Sequence, residues 1–198
     1  MAGMCNQYSF KTSLDQLVKD FGQLDLLLGW EGGAPNLEPR DEIRPTDLAP
    51  VIVGAGQGAI LRQLRWGFPR PKGGPVINFR SDGRRFPQGR CLIPADDFYE
   101  FTGDRSPKTK WLFSAAEGGL LGIAGLIRED RFALLTTEPG PDIAPYHDRQ
   151  VVLLARSDWA AWLGPGGESL ALGPAPAGTL AVRKVSGPEA ETMLPFCS

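Results

Sequence analysis

The chain of 198 residues carries 21 basic and 23 acidic side chains plus one histidine, for a net charge of −2, and is 42% hydrophobic and 22% charged. That mixture belongs to a globular protein and excludes both a disordered charged tail and the blanket positive potential of a histone-like binder. The 25 glycines and 18 prolines predict many turns and short elements instead of a helical bundle, and the length suits one domain over residues 1–198.

No apolar run reaches the roughly 18–20 residues that span a bilayer, and the N-terminus has no secretory pattern. A cytoplasmic chain is therefore expected, nucleoid-associated if bacterial. Cys5, Cys91 and Cys197 form no CxxC pair, so neither a disulfide framework nor a zinc knuckle can be assembled. With His147 alone a histidine-rich metal centre is also excluded, and no metal or organic cofactor is expected.

In chain order, the first element is a helix opening at Ser13. Ser13-Leu14-Asp15-Gln16 has the form of a capping box, and Leu14, Leu17, Val18 and Phe21 recur at helical spacing. From Gly22 to Arg44-Pro45-Thr46 the Gly, Pro and acidic content predicts surface loop. Short apolar runs bounded by Gly, Pro or charge then predict strands at Pro50–Val53, Ile60–Trp66, Trp111–Ser114, Leu120–Ile127, Phe132–Thr137, Val151–Ala155 and Leu180–Val185, with Cys91 heading a further apolar strand. A second short helix is expected from Ser157 as N-cap to Gly164-Pro165, burying Trp159 and Trp162. The Gly/Pro/Ala-rich stretch 164–178 reads as a mobile surface loop. Strands do not alternate with comparable helices and no glycine-rich phosphate fingerprint occurs, which disfavours a doubly wound nucleotide fold. The fold class expected is α+β: a single compact domain with a β-rich, barrel-like mixed-sheet core and a few short helices.

Charge is unevenly spread. Arg62, Arg65, Arg70, Lys72, Arg80, Arg84, Arg85 and Arg90 face only Asp82 between positions 62 and 90, with Trp66, Phe68, Phe79 and Phe86 interleaved. Cations that track phosphates and rings that stack on bases would suit a single-stranded nucleic acid groove. An arginine-rich solvated face with its aromatics turned into the core has the same composition, and composition alone favours it.

Several segments nevertheless occur in a telling order: Met4-Cys5-Asn6, Arg44-Pro45-Thr46, Trp66-Gly67-Phe68-Pro69, Asn78-Phe79-Arg80-Ser81-Asp82, the run Cys91-Leu92-Ile93-Pro94-Ala95-Asp96-Asp97-Phe98-Tyr99-Glu100-Phe101, Ala124-Gly125-Leu126, Thr136-Thr137, and His147-Asp148-Arg149-Gln150-Val151-Val152. From Cys5 to about Leu163 they resemble the signature segments of the SRAP family, the SOS response-associated peptidases or abasic site processing proteins. The resemblance implies a protein of the DNA damage response that binds single-stranded DNA at an abasic site and joins the opened sugar through an N-terminal cysteine, with associated autopeptidase and AP-lyase chemistry. A terminal cysteine offers an α-amine, with pKa near 7.7–8.0 in unperturbed form, beside a thiol. Together they close a stable five-membered thiazolidine on an aldehyde, where a lone thiol gives only a labile hemithioacetal.

By the same resemblance Cys5 is the nucleophile, Glu100 and His147 carry protons, and Asn78 orients the cysteine or sugar. Arg80 and Arg149 match the phosphate-binding arginines, Trp66 and Phe101 are stacking surfaces beside the lesion, and Pro45 and Thr46 belong to the DNA-binding set. Cys91 and Cys197 receive no role. The implied partner is abasic single-stranded DNA, with neither membrane nor metal, and the chain is expected to act as a monomer.

Met1-Ala2-Gly3 precede Met4-Cys5, whereas the family's cysteine directly follows its initiator. Residues 1–4 are therefore expected to be a leader, either because Met4 is the natural start or because self-cleavage removes them. Asp82, Phe101 and Gln150-Val151 replace the family's usual Glu, Trp and Met-Pro. Two other readings stay open on the sequence: a single-stranded DNA binder that forms no crosslink, and a hydrolase using Cys5, His147 and Glu100.

Overall fold

The apolar runs become strands, and five of them close on themselves. A computed structural model describes residues 5–187; residues 1–4, expected as a leader, and Cys197 lie outside the described residues. In chain order the elements are β1 (Tyr8–Phe10), α1 (Leu14–Gly22), β2 (Leu28–Trp30), β3 (Arg40–Ile43), β4 (Leu48–Ala55), β5 (Gly58–Trp66), β6 (Asn78–Arg80), β7 (Arg90–Ala95), β8 (Asp97–Thr102), β9 (Thr109–Ala115), β10 (Leu121–Arg128), β11 (Arg131–Thr137), β12 (Gln150–Val151), β13 (Leu153–Leu154), α2 (Trp159–Leu163) and β14 (Leu180–Ser186).

Antiparallel pairs link β11 to β10, β10 to β7, β7 to β4 and β4 to β5, and β5 returns to β11 in parallel. This is the mixed, barrel-like core expected of a single α+β domain. A second sheet in the order β14-β9-β8-β1-β3 leans on it. β7, β10 and β11 are buried along nearly their whole length, which is why they read as continuous apolar runs and not as alternating ones.

Helix α1 forms where its cap predicts: the Ser13 side chain accepts from Gln16 N at 3.2 Å, while Leu17 and Phe21 turn inward. Helix α2 is shorter than expected. Ser157 lies inside a 3₁₀ turn at Arg156–Asp158, and Asp158 occupies the cap position without a side-chain bond. Gly54 and Gly122 let α2 approach, since a Cβ at either would meet Leu163 O at 2.0 Å or the Trp159 indole at 2.3 Å.

The span from Gly22 to Arg44, expected as loop, contains β2 and β3. β2 is a parallel edge strand on β5, and β3 pairs with β1; Arg40-Asp41-Glu42 carries no apolar pattern because this edge faces solvent. The run Val151–Ala155 divides into β12 and β13, which pair with different partners. Within 164–178 a 3₁₀ turn forms at Gly167–Ser169, and Arg90 holds the start of the stretch, donating to Gly164 O at 2.7 Å and pairing with Glu168 at 3.3 Å.

The passage from β7 to β8 carries the chain from the barrel into the second sheet. Its corner residue Asp96 accepts from the backbone nitrogens of Lys11 at 2.5 Å and Thr12 at 3.2 Å. β1 is thereby fixed against β8 with Tyr8 opposite Phe98, and the residues before Tyr8 are led towards Glu100.

Candidate active site

Cys5 is buried, with 1% of its surface exposed, and its backbone N–H donates to Glu100 Oε1 at 3.1 Å. Asn78 Nδ2 donates to the Cys5 carbonyl at 3.0 Å, and the thiol donates to Gln7 O at 3.5 Å. The cysteine is thus held at its nitrogen, carbonyl and sulfur by three separate groups. Asn78 opens β6, which lies parallel to β11. The residue before it is fixed by Trp66 Nε1, which donates to Ile77 O at 3.0 Å.

Glu100 is 1% exposed on β8, and its pKa is pushed up to about 8. Burial is the main cause; the Cys5 N–H opposes it by favouring the carboxylate, and the charge of Asp148 adds to it. Near pH 7 the group is therefore mostly a carboxylic acid. Oε1 accepts from Cys5, while Oε2 is buried without a partner, so the proton has a free oxygen to occupy. Burial, followed by the Glu100 charge, pushes the Cys5 thiol up as well, so the sulfur rests as a thiol.

His147 is 7% exposed and accepts from the Arg149 N–H at Nδ1, 3.0 Å away. In the neutral ring this places the proton on Nε2, which is buried and unpartnered. Asp148 Oδ1 also lies 3.0 Å from Nδ1 and is itself open to solvent. Arg149 Nη2 donates to Thr136 O at 2.9 Å and to Asp82 at 2.6 Å, while its Nε is buried without a partner. Asn78 Oδ1, Asn6 Oδ1 and Gln7 Oε1 are orphaned in the same way. Buried polar atoms are nearly always satisfied, and here unsatisfied ones recur on Cys5's sequence neighbours and on its partners Asn78 and Glu100.

A model of the family described as SOS response associated peptidase (SRAP) matches residues 4–188. The chain belongs to the SRAP family. Among relatives, the SRAP chain is 26% identical over 186 residues to abasic site processing protein YoaM of Bacillus subtilis, covering 82% of this chain and 80% of that one. It is 28% identical over 187 residues to YobE, also an abasic site processing protein of Bacillus subtilis, covering 82% and 83%. Its fold matches a crystal structure of a Bordetella bronchiseptica protein with TM-score 0.72 at 23% identity, covering 92% and 100% of the two chains. A Bacteroides thetaiotaomicron protein gives TM-score 0.72 at 15% identity, covering 92% of each.

The other sequence candidates divide. Arg80 is exposed beside Thr136. Pro45 is half-buried, and Thr46 is exposed with a φ of 78°, its N–H donating to Trp66 O at 2.8 Å. Trp66, expected as a stacking surface, has no exposed area: its ring lies edge-on to Tyr8 at 5.2 Å and stacked on Phe132 at 6.2 Å. It is a core residue beneath the site, unable to meet a base. Phe101 stands on the face of β8 opposite Glu100, 5.9 Å from Lys110 Nζ, and is not brought beside Cys5.

Sequence reasoning gave no role to Asn6, Gln7 or Thr136, and none to Asp148. The only available signals were adjacency to Cys5 and His147 and the Thr136-Thr137 segment. Among the described residues, no group of three or more His, Cys, Asp and Glu could hold a metal, and no helix is long and apolar enough to cross a membrane.

Proposed function

We propose that this protein binds single-stranded DNA at abasic sites and joins the opened sugar through Cys5 as a thiazolidine. The observation that carries the reading is the nitrogen of Cys5 resting on a buried carboxyl whose pKa is about 8 and whose second oxygen is unpartnered. Such a group donates a proton and takes one back near neutral pH, as general acid–base work requires.

The steps balance around it. The closed sugar opens as the proton of its anomeric hydroxyl is lost and its ring oxygen gains one, with Glu100 and the His147 Nε2–H as proton carriers. The α-amine of Cys5 adds to the aldehyde to give a carbinolamine. Glu100 protonates its hydroxyl, water leaves, and a protonated Schiff base remains beside the Glu100 carboxylate. The carboxylate then takes the thiol proton as sulfur closes on the iminium carbon. Amine, thiol and aldehyde become thiazolidine and one water, and Glu100 ends protonated as it began. A thiol raised by burial is no handicap, because its proton is removed only when a carboxylate and a cation face it.

The amine must be free, so the Met4–Cys5 bond has to be absent, through a start at Met4 followed by trimming or through autopeptidase removal of residues 1–4. A Schiff base that eliminates before sulfur closes gives the associated AP-lyase activity. The exposed Arg80, together with Arg149, whose buried Nε has no partner, holds phosphates, with Pro45 and Thr46 on the DNA side. The hydrolase reading has less support, since the Cys5 thiol donates to Gln7 O while Glu100 Oε2 and His147 Nε2 are unpartnered.

The test is a denaturing gel of the protein incubated with an abasic single-stranded oligonucleotide, beside Cys5→Ala and Cys5→Ser. A heat-stable shifted band that is lost in both variants supports the proposal. Binding without a band in the wild-type protein leaves a non-crosslinking module.

A further inference from the structure

The strand that carries Asn78 has a second face. Neighbours on a strand point oppositely, so Phe79 leaves β6 on the side away from Asn78 and Arg80. There it meets Arg84, whose guanidinium carbon lies 5.3 Å from the ring centre, and Arg128 at 5.8 Å. Arg128 also lies 4.9 Å from the centre of the Phe68 ring. A cavity of about 220 Å³ opens beside them, walled by Phe79, Arg85, Gln88 and Arg128.

Arg84, Arg85 and Arg128 are exposed, and among the described residues none of them forms an ion pair. Three uncompensated guanidiniums around one half-buried ring repel one another, and a polyanion relieves that repulsion. The turn joining this face to the site is well fixed. Arg84 N–H donates to Ser81 O at 2.9 Å, Gly83 supplies a φ of 67°, and the Ser81 hydroxyl donates to Thr136 O at 3.0 Å. Within that turn Asp82 reaches back to Arg149, while Arg84 reaches forward to Phe79. One turn therefore touches both the site around Cys5 and the basic face.

We propose that the face formed by Phe79, Arg84, Arg85 and Arg128 is a nucleotide subsite for the same single strand, outside the lesion pocket. A base enters the cavity against the Phe79 ring and a guanidinium plane, and the adjoining phosphates lie on Arg84 and Arg128. The cavity is smaller than the ~300–1,000 Å³ of drug-sized pockets, which suits one ring. Fork-shaped guanidiniums suit phosphate oxygens, and stacking on aromatic or guanidinium planes tolerates any base. The inference rests on the DNA-binding part of the proposed function and not on the crosslink.

The experiment measures fluorescence anisotropy of an undamaged 15-nucleotide oligo-dT over a series of salt concentrations, for wild type, Arg84→Gln/Arg128→Gln and Phe79→Leu. Crosslink yield on saturating abasic oligonucleotide and the thermal midpoint are recorded for each. The double variant is expected to bind at least tenfold more weakly, with a salt slope shallower by about 1.4, since each phosphate neutralised on a single strand contributes ~0.7 to the slope. Phe79→Leu should weaken binding roughly fivefold or more with the slope unchanged, as removal of one stacked base requires. Crosslink yield at saturation and the midpoint should hold. Unchanged affinity and slope in both variants, with wild type still crosslinking, would overturn the subsite alone. A wild type that binds through this face without crosslinking would leave the subsite standing and remove the crosslink, and no oligo-dT binding by wild type would overturn the subsite, with the crosslink still judged by its own yield on abasic oligonucleotide.

Discussion

Replacing Glu100 by glutamine should change how stability depends on pH, by an amount the burial of this one carboxyl sets. Its pKa rises from an ordinary 4.5 to about 8 in the fold. Below pH 4.5 both folded and unfolded chains hold the proton. Between the two values only the folded chain keeps it, so stability falls by about 1.4 kcal/mol for each pH unit climbed, and above pH 8 both forms are ionised and the loss levels off. Glu100 is almost wholly buried, so solvent screening removes little of this. From pH 5 to pH 8 the sum is about 3–4 kcal/mol. Glutamine is neutral throughout, and its side-chain oxygen can still accept from the Cys5 nitrogen. Glu100→Gln should therefore resemble wild type near pH 5 and exceed it by about 3–4 kcal/mol at pH 8. Urea unfolding of both proteins at half-unit intervals, with mass verifying that each still carries Met4 so that no free amine charge faces Glu100, reads the difference directly. A difference that stays flat from pH 5 to pH 8 would refute the argument that Glu100 is held protonated.

Other consequences concern its neighbours. Asn78→Ala removes the donor on the Cys5 carbonyl and should slow single-turnover crosslinking about tenfold, for a stability loss of only about 1 kcal/mol in urea; equal rates would deny Asn78 a positioning role. Asp148→Asn removes a charge that raises the Glu100 pKa, so the pH at which crosslinking loses its acid should move down, and an unmoved profile would contradict the coupling. Gly54→Ala places a methyl against a backbone oxygen at 2.0 Å and should cost about 1–3 kcal/mol in thermal unfolding, whereas Gly22→Ala, with open space around it, should not.

How much of this was legible depends on what each residue faces. Helix α1 was readable because Ser13 and its inward residues are local signals, and β7, β10 and β11 because they are buried on both sides. β3 was not, since Arg40-Asp41-Glu42 forms an edge whose strand character comes from pairing with β1. The resemblance misled for Trp66, whereas composition had favoured aromatics turned into the core: along β5 it points inward with Leu64 while Arg65 between them points out. Cys5, Asn78 and Glu100 lie far apart in sequence yet meet, because Asp96 turns β7 into β8 and fixes β1 beside it. Their types and order were visible, but the burial that gives Glu100 its proton was not. The exposed arginines were visible in part: Arg84 and Arg85 lie in the basic stretch, whereas Arg128 arrives from β10.

The central claim is tested most directly by the intact mass of the DNA adduct, taken before and after borohydride treatment. The account predicts a chain beginning at Cys5 plus the abasic oligonucleotide less one water, unchanged by borohydride because a thiazolidine has no imine to reduce. An adduct that gains two hydrogens on treatment, or one whose protein part still carries Met4, would contradict it.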